Sequence, residues 1–102
     1  MIGRIWRGWA KPELADSYEQ LLTQETLPAL HRVPGYKGTY FLRRALESGE
    51  VEFQEITFWE SMASITAFAG EDCTKAVVPL ETQAFLTRFD DRSTHFEATW
   101  CP

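Results

Sequence analysis

The chain has 102 residues, of which 44% are hydrophobic and 14% aromatic, so it has enough apolar side chains for one folded domain, residues 1–102. Its formal net charge of −5 would repel phosphate groups, which argues against a nucleic acid or an anionic membrane surface as the partner. No apolar run approaches the ~20 residues that span a bilayer, and the charged first residues do not resemble a signal peptide, so we expect a cytoplasmic protein.

The first half of the chain predicts a strand, a helix and a second strand. Ile2 to Trp9 has the composition of a strand. A helix opens at Lys11-Pro12-Glu13, since proline is tolerated in the first helical turn. Pro28 is expected to kink or end this helix near Thr26, because proline removes a helical hydrogen bond. Tyr36 to Ala45 predicts the second strand.

The second half predicts two more strands around a second helix. Glu52 to Trp59 is rich in β-branched and aromatic residues and predicts the third strand. Ser61 can cap a helix that continues to Ala69. Glu71 to Val77 indicates a further helical turn or two, and Leu80 to Phe89 is ambiguous, with a short helix as one reading. Ser93 to Trp100 alternates as the last strand.

The order of these elements is typical of a ferredoxin-like α+β sandwich, βαββαβ, in which two helices cover one face of a four-stranded antiparallel sheet. Successive side chains of a strand point to opposite faces of the sheet, and in two strands large apolar residues point to both faces. They are Trp6 and Trp9 on the first strand, and Phe53, Ile56 and Phe58 on the third. Leaving such side chains in water would forfeit about 1.5–3 kcal/mol each. We therefore expect a homodimer whose two sheets form an α/β barrel, with an aggregation-prone monomer as the alternative.

The stretch Thr57-Phe58-Trp59-Glu60-Ser61 joins the third strand to the second helix and places an indole at the corner between them. Together with the element order and the tail Arg88-Phe89-Asp90 and Thr94-His95-Phe96-Glu97, it resembles the antibiotic biosynthesis monooxygenase (ABM) family over nearly the whole chain. The resemblance implies a dimeric α/β barrel, a fold that hosts many chemistries. Known members include cofactor-independent oxygenases that turn anthrone-type polyketides into quinones, and enzymes that bind and degrade heme.

The heme-degrading members resemble this chain through the same Thr57–Ser61 stretch and through Asp72 and Lys75-Ala76. In those enzymes an iron-ligating histidine follows, and the matching position here is Val78, whose side chain cannot bind iron. They also use an asparagine on the first strand, and this chain contains no asparagine. Heme degradation is therefore disfavoured. We expect no cofactor, and no metal site, because no clustered metal ligands occur.

Two residues are candidates for catalysis. His95 is the side chain best suited to exchange a proton near neutral pH, although a strand histidine facing water is the alternative. Arg4 alternates with Trp6 on a strand that should be central, where a guanidinium needs a carboxylate or an anionic ligand. Glu55 on the adjacent third strand is a plausible partner, either in a structural ion pair or beside a bound substrate.

Aromatic residues supply the candidates for substrate binding. Trp6 and Trp59 could sandwich a flat aromatic substrate, and packing in the core is the alternative for both. Tyr40 on the second strand and Tyr18 on the first helix could each add a hydroxyl to the pocket. The partner implied by these residues is a small hydrophobic or aromatic molecule.

Two functions follow. The first is a cofactor-independent monooxygenase acting on a small aromatic or polyketide-like substrate, with His95 as base or orienting group, Arg4 as oxyanion partner and Trp59 as stacking wall. Such an enzyme need only supply a dry cavity, a base and a hydrogen bond to the enolate oxygen. The alternative, motivated by the missing asparagine, is an isomerase- or cyclase-like enzyme or a small-molecule binding module of the same fold.

Overall fold

The computed structural model describes residues 1–102 and contains one open antiparallel sheet. Its five strands are β1 (Ile2–Ala10), β2 (Tyr36–Ala45), β3 (Val51–Trp59), β4 (Leu86–Phe89) and β5 (Thr94–Glu97). β1 is the central strand: β3 pairs with it on one side, β4 and β5 pair with it on the other, and β2 pairs with the far side of β3. The predicted ferredoxin-like α+β fold is confirmed, and the central place of β1 is observed as expected.

The helices lie across one face of this sheet. A 3-10 turn (Pro12–Leu14) leads into α1 (Ala15–Leu21), a π-helical turn (Leu22–Thr26) and α2 (Leu27–Leu30), which together run as one continuous helical segment. Two shorter helices follow, α3 (Met62–Ala69) and α4 (Leu80–Gln83). None of the helices has the length and apolar character needed to cross a membrane.

Pro28 was expected to kink or end the first helix near Thr26, and of these two outcomes the end does not occur, because the chain stays helical to Leu30. In the π turn the Leu27 N–H donates to the Leu22 carbonyl, five residues back rather than four. This wider turn gives the ring of Pro28 room where an ordinary α-turn would bring it against a carbonyl. The proline therefore changes the helix geometry without ending the helix.

The last third of the chain also departs from expectation. Glu71 to Val77 forms turns and a bridge rather than the predicted helix, and backbone hydrogen bonds from Ala76 to Asp91 and from Ser93 to Thr74 hold it. The ambiguous stretch divides into α4 and β4, and the last strand is only Thr94–Glu97. β4 and β5 share one edge of β1, so the sheet has five strands rather than the predicted four.

The register between β1 and β3 decides which side chains face the helices. Arg4 lies opposite Thr57, and Trp6 lies opposite Glu55, so these four share one face of the sheet. Two buried clusters pack on this face at its two ends. One contains Ala10, Ala15, Tyr18, Leu22, Val51 and Phe53, and the other contains Leu30, Trp59 and Ile65.

The opposite face of the sheet, here called the outer face, is covered by no element of the chain. Large apolar side chains there are exposed, including Tyr40 (55%), Phe96 (53%) and, beyond β5, Trp100 (70%). Trp9 is buried on this face because the guanidinium of Arg88 lies 4.0 Å from its ring centroid and that of Arg7 lies 5.2 Å away. The sheet is therefore apolar on both faces, as the sequence predicted.

Candidate functional site

A cavity of about 390 Å³ lies between the central strands and the helices. Its floor is formed by Arg4 and Trp6 of β1 and by Glu55 and Thr57 of β3. The helical segment supplies its roof and the stretch before α4 a side wall, and 10 of the 19 lining residues are hydrophobic. An apolar cavity with a few convergent polar groups is the usual form of a small-molecule site.

The π turn faces this cavity. Leu22, Glu25 and Thr26 of the turn line it, and Tyr18 precedes them on α1. The side wall comes from Val77, Val78, Pro79 and Thr82, with Ser93 at the end of the next loop. π turns inside α-helices are frequent at functional sites, and here the wider turn is the part of the helical segment that lines the cavity.

Arg4 is almost fully buried, and its side chain is held by the protein on one edge. Nη1 donates to the Cys73 carbonyl and to His95 Nε2, the latter at 2.7 Å, and Nη2 donates to the Lys75 carbonyl at 3.1 Å. These contacts use three of the five guanidinium N–H groups, and Nε–H and one Nη2–H have no protein acceptor. Burial lowers the pKa of Arg4, but a guanidinium stays charged in proteins.

His95 lies beside Arg4 and is not one of the residues that line the cavity. A guanidinium can only donate, so Nε2 must accept and the imidazole must be neutral with its proton on Nδ1. Burial, and next the charge of Arg4, lower the pKa of His95 below its ordinary value of 6.5. The geometry therefore makes His95 a neutral acceptor that orients Arg4.

Glu55 faces the cavity from the middle of β3, and its carboxylate has no hydrogen-bond donor in the protein. Burial raises its pKa to about 7, and the nearby Arg4 charge acts in the opposite direction. Arg4 and Glu55 do not form the ion pair that was one of the two expectations, because Arg4 donates to backbone carbonyls and His95 instead. Glu55 is left free to interact with a ligand.

Tyr18 stands on the opposite wall of the cavity. Its ring packs edge-on against Phe53 at a centroid distance of 4.8 Å and against Phe85 at 6.1 Å. Its hydroxyl is buried without a hydrogen-bond partner. Burial, and next the charge of Glu55, raise the pKa of Tyr18, so the hydroxyl keeps its proton and remains a potential donor.

The two tryptophans of the predicted aromatic sandwich have different positions. Trp6 lines the cavity, and its indole Nε1 donates to the Asp90 carbonyl at 2.8 Å. Trp59 is 0% exposed and lies in the core, where Nε1 donates to Thr57 Oγ1 at 2.8 Å and the ring packs on Phe68. A substrate in this cavity would touch Trp6 and not Trp59.

Tyr40 lies on the outer face, away from the cavity, with its ring edge-on to Phe58 at 6.1 Å. The structure therefore brings Arg4, Trp6 and Glu55 together in the cavity lining. Trp59, Tyr40 and His95 are not part of that lining, although His95 contacts Arg4. Thr57 was not among the predicted site residues, although it shares the parity of Glu55 on β3. The wall residues from Val77 to Thr82 were also missed, because no local sequence pattern shows that this stretch packs against the cavity.

The sequence matches no protein-family model, and no curated protein matches it. Solved structures are similar to it along almost the entire chain. The crystal structure of an antibiotic biosynthesis monooxygenase is 20% identical with a TM-score of 0.64, covering 97% of this chain and 99% of that one. The heme-degrading MhuD from Mycobacterium tuberculosis, with two hemes bound in its active site, is 18% identical with a TM-score of 0.65, covering 100% and 99%.

A third structure is the Streptomyces coelicolor monooxygenase ActVA-Orf6 in complex with nanaomycin D. It is 14% identical with a TM-score of 0.60, covering 99% of this chain and 91% of that one. Identities of 20% or less establish a shared fold and leave substrate and chemistry open. The chain therefore has the fold of the antibiotic biosynthesis monooxygenase structures.

Proposed function

We propose that the chain is a cofactor-independent monooxygenase that acts on a small aromatic or polyketide-like substrate. The observation that carries this proposal is the apolar cavity whose floor combines the Arg4 guanidinium with the unpaired Glu55 carboxyl. A structure of the same fold binds nanaomycin D and is a monooxygenase, which supports this choice among the chemistries that the fold can host.

The reaction suits a substrate with an acidic methylene beside a carbonyl group. Removal of one proton gives an enolate, which transfers an electron to O₂; the two radicals combine to a peroxide, which is protonated. The hydroperoxide then loses water and leaves a carbonyl, so CH₂ and O₂ become C=O and H₂O. Carbon is oxidised and O₂ is reduced, and the protein contributes a proton acceptor, a partner for the enolate oxygen and exclusion of water.

Arg4 is the partner that we assign to the enolate oxygen. Its two N–H groups without a protein acceptor are available to a ligand, and the other three fix its direction. Preorganised donors of this kind stabilise developing negative charge without reorganisation during the reaction. In this assignment His95 is a positioning residue, because its Nε2 is already occupied by Arg4.

Heme degradation is not proposed for this chain. Val78, the position matched to the iron-ligating histidine of the heme-degrading members, lies on the cavity wall. Neither of the two histidines, His31 and His95, lines the cavity. Iron ligation from the protein would require a histidine nitrogen or another suitable donor in reach.

The functional unit in this proposal is a homodimer formed through the outer face. Tyr40, Phe96 and Trp100 are exposed there on the side of the sheet that has no helices. Contiguous apolar surface of this kind is typical of an interaction site. A second copy of the chain offers a matching surface, because a two-fold interface uses the same patch on both subunits.

A second candidate function is an isomerase- or cyclase-like enzyme, or a binding module for a small molecule. Glu55 favours it specifically, since a carboxyl that gains and loses a proton near neutral pH serves enolisation without O₂. In this case the substrate would be rearranged, or held and released unchanged.

Oxygen uptake with anthrone and hydroquinones separates these candidates. We expect consumption above the spontaneous rate, an oxygenated product, and loss of both in Arg4→Met, with Arg32→Met on the exposed surface as the matched control. Circular dichroism of each variant checks that the fold is kept. Uptake no faster than the spontaneous rate across the panel would contradict the monooxygenase. Recovery of a rearranged or an unchanged ligand would then favour the isomerase or the binding module.

A further inference from the structure

We propose that Glu55 is the general base of this cavity and that the Tyr18 hydroxyl is a second hydrogen-bond donor to the substrate oxygen, opposite Arg4. The inference rests on the proposed use of the cavity for an enolisable substrate. It replaces His95 as the base and adds a residue on the helix to the oxyanion site.

The first argument is that the Glu55 carboxylate is unpaired in the sheet, whereas the carboxylates of Glu52 and Asp90 are paired. Glu52 accepts from Arg44 at 3.0 Å and from Gln54 at 3.1 Å, and Asp90 accepts from Arg7 at 2.9 Å. Glu55 has no such donor, although it lies on the central part of the sheet, between two neighbouring strands. An unpaired carboxylate in this position is costly to the fold unless a ligand or solvent in the cavity meets it.

The second argument is the orphan hydroxyl of Tyr18. Buried polar atoms almost always have a hydrogen-bond partner, and this is the one buried side-chain atom of the structure that has none. Its residue is 0% exposed and lines the same cavity as Glu55 and Arg4. An oxygen atom of a bound ligand would satisfy it.

The third argument concerns the charges around Glu55. The charge of Arg4 on β1 acts on it, Tyr18 lines the same cavity from α1, and Glu25 and Glu81 line it from the π turn and α4. Burial is the larger influence on Glu55 and Arg4 the smaller, which leaves its pKa at about 7. A general base works best when its pKa lies near the working pH.

The step itself is a simple proton transfer. The electron pair of a Glu55 oxygen takes the proton from the substrate C–H, and the electrons of that bond delocalise onto the substrate oxygen between Arg4 and Tyr18. Neutral Glu55 then returns the proton to the peroxide or, without O₂, to another carbon. His95 is poorly placed for this transfer, because Nε2 accepts from Arg4 and the other ring nitrogen carries the proton.

Deuterium exchange tests the base apart from the oxygenase reaction. Anthrone is incubated with the protein in D₂O under nitrogen, and loss of the methylene proton signal is followed by NMR. We expect exchange above the spontaneous rate, rising through about pH 7. In Glu55→Gln we expect the enzymatic rate to fall by about 10²–10⁴-fold, with partial retention in Glu55→Asp. Glu60→Gln, an exposed carboxylate outside the cavity, is the control.

Tyr18→Phe tests the donor. We expect it to weaken anthrone binding, measured by quenching of tryptophan fluorescence, by about 2–10-fold and to leave the pH profile of exchange in place. Glu55→Gln should bind anthrone with little change, so its loss of exchange reports proton transfer.

The outcomes are distinguishable. Exchange in Glu55→Gln at the wild-type rate, or bound anthrone that exchanges no faster than in buffer, would overturn the assignment of the base. Unchanged anthrone affinity in Tyr18→Phe would overturn the assignment of the donor. Fast exchange without oxygen uptake in air would leave Glu55 as the base and overturn only the monooxygenase.

Discussion

At the scale of single residues, Glu55 is a carboxyl group whose negative charge destabilises the folded state, because its surroundings favour the neutral form. Its pKa is about 7 in the folded protein against an ordinary value of 4.5. Between these two values the folded state holds a proton that the unfolded state has released. Stability linked to Glu55 therefore falls as pH rises from about 4.5 to about 7 and stays low above that range.

Glu55→Gln is therefore expected to stabilise the protein above neutral pH and not below pH 4.5. The difference between about 7 and 4.5 corresponds to up to about 3 kcal/mol at 1.36 kcal/mol per pH unit. Urea unfolding of both proteins at pH 4.5 and pH 8 measures it. A variant no more stable than wild type at pH 8 would show that Glu55 is not buried in its charged form.

Tyr18→Phe is expected to change stability and binding in opposite directions: the empty protein becomes more stable and anthrone binds more weakly. Removing a buried hydroxyl that has no partner is expected to stabilise the empty protein by about 1–3 kcal/mol, since the desolvation cost of that group disappears. The aromatic packing against Phe53 and Phe85 is kept. Thermal unfolding without ligand checks the prediction, and Tyr40→Phe on the exposed outer face is the control. A lower melting temperature would mean that the hydroxyl has a partner in solution.

At the scale of elements, Arg4 links the central strand to the stretch before α4. It donates to the carbonyls of Cys73 and Lys75, so one side chain of β1 fixes a segment that has no regular secondary structure. His95 on β5 completes this link by accepting from the same guanidinium. The segment continues into Val77 and Val78 of the cavity wall, so the link also sets the shape of the cavity.

Protonation of His95 is expected to loosen this segment. The pKa of His95 is lowered in the folded state, so its contribution to stability is present above about pH 6.5 and is lost as pH falls through the lowered value. Hydrogen exchange of the Ala76 and Ser93 amides, corrected for intrinsic rates, should lose protection on acidification. Amides of the β2–β3 hairpin serve as the internal control.

His95→Gln provides the matched variant for this experiment. A glutamine amide oxygen can accept from Arg4 and does not titrate, so protection of the Ala76 and Ser93 amides should depend less on pH. Equal loss of protection in wild type and His95→Gln would show that another group causes it.

Much of the fold could be predicted because it depends on local patterns. Tyr36 to Ala45 and the Ser61 cap of α3 follow from alternation and from a hydroxyl that accepts the Ser64 N–H. The helix through Pro28 could not be predicted, since it depends on a π turn that no composition signal marks. β4 was missed because it is only four residues long and is stabilised by pairing with β1.

The site could be predicted in part for the same reason. Arg4, Trp6 and Glu55 share one face because of strand parity and of the register between β1 and β3. The parity and the adjacency of the two strands could be predicted from the sequence, and the register could not. Trp59 was expected at the pocket because it ends a strand, but its depth in the core depends on Leu30, Phe68 and Tyr36 packing around it. Such packing brings together residues far apart in the chain, and periodicity carries no information about it.

At the scale of the whole molecule, the two faces of the sheet have different uses. The helical face encloses the cavity, and the outer face carries exposed aromatic residues with no covering element. Burying that outer face would remove apolar surface from water at about 25 cal/mol per Å². The net charge of −5 per chain opposes association at long range, so the dimer should be strengthened by added salt.

The last prediction is that the chain is a dimer in solution through this outer face. Light scattering should give twice the 11.7 kDa of one chain, and added salt should not lower this mass. Phe96→Glu places a charge on the proposed interface, so we expect it to give the mass of one chain. Leu80→Glu is the matched control, since Leu80 is 82% exposed but lies in α4, on the helical side. A well-behaved wild-type particle of 11.7 kDa would contradict the dimer, because the outer face would then be stable in water without a partner.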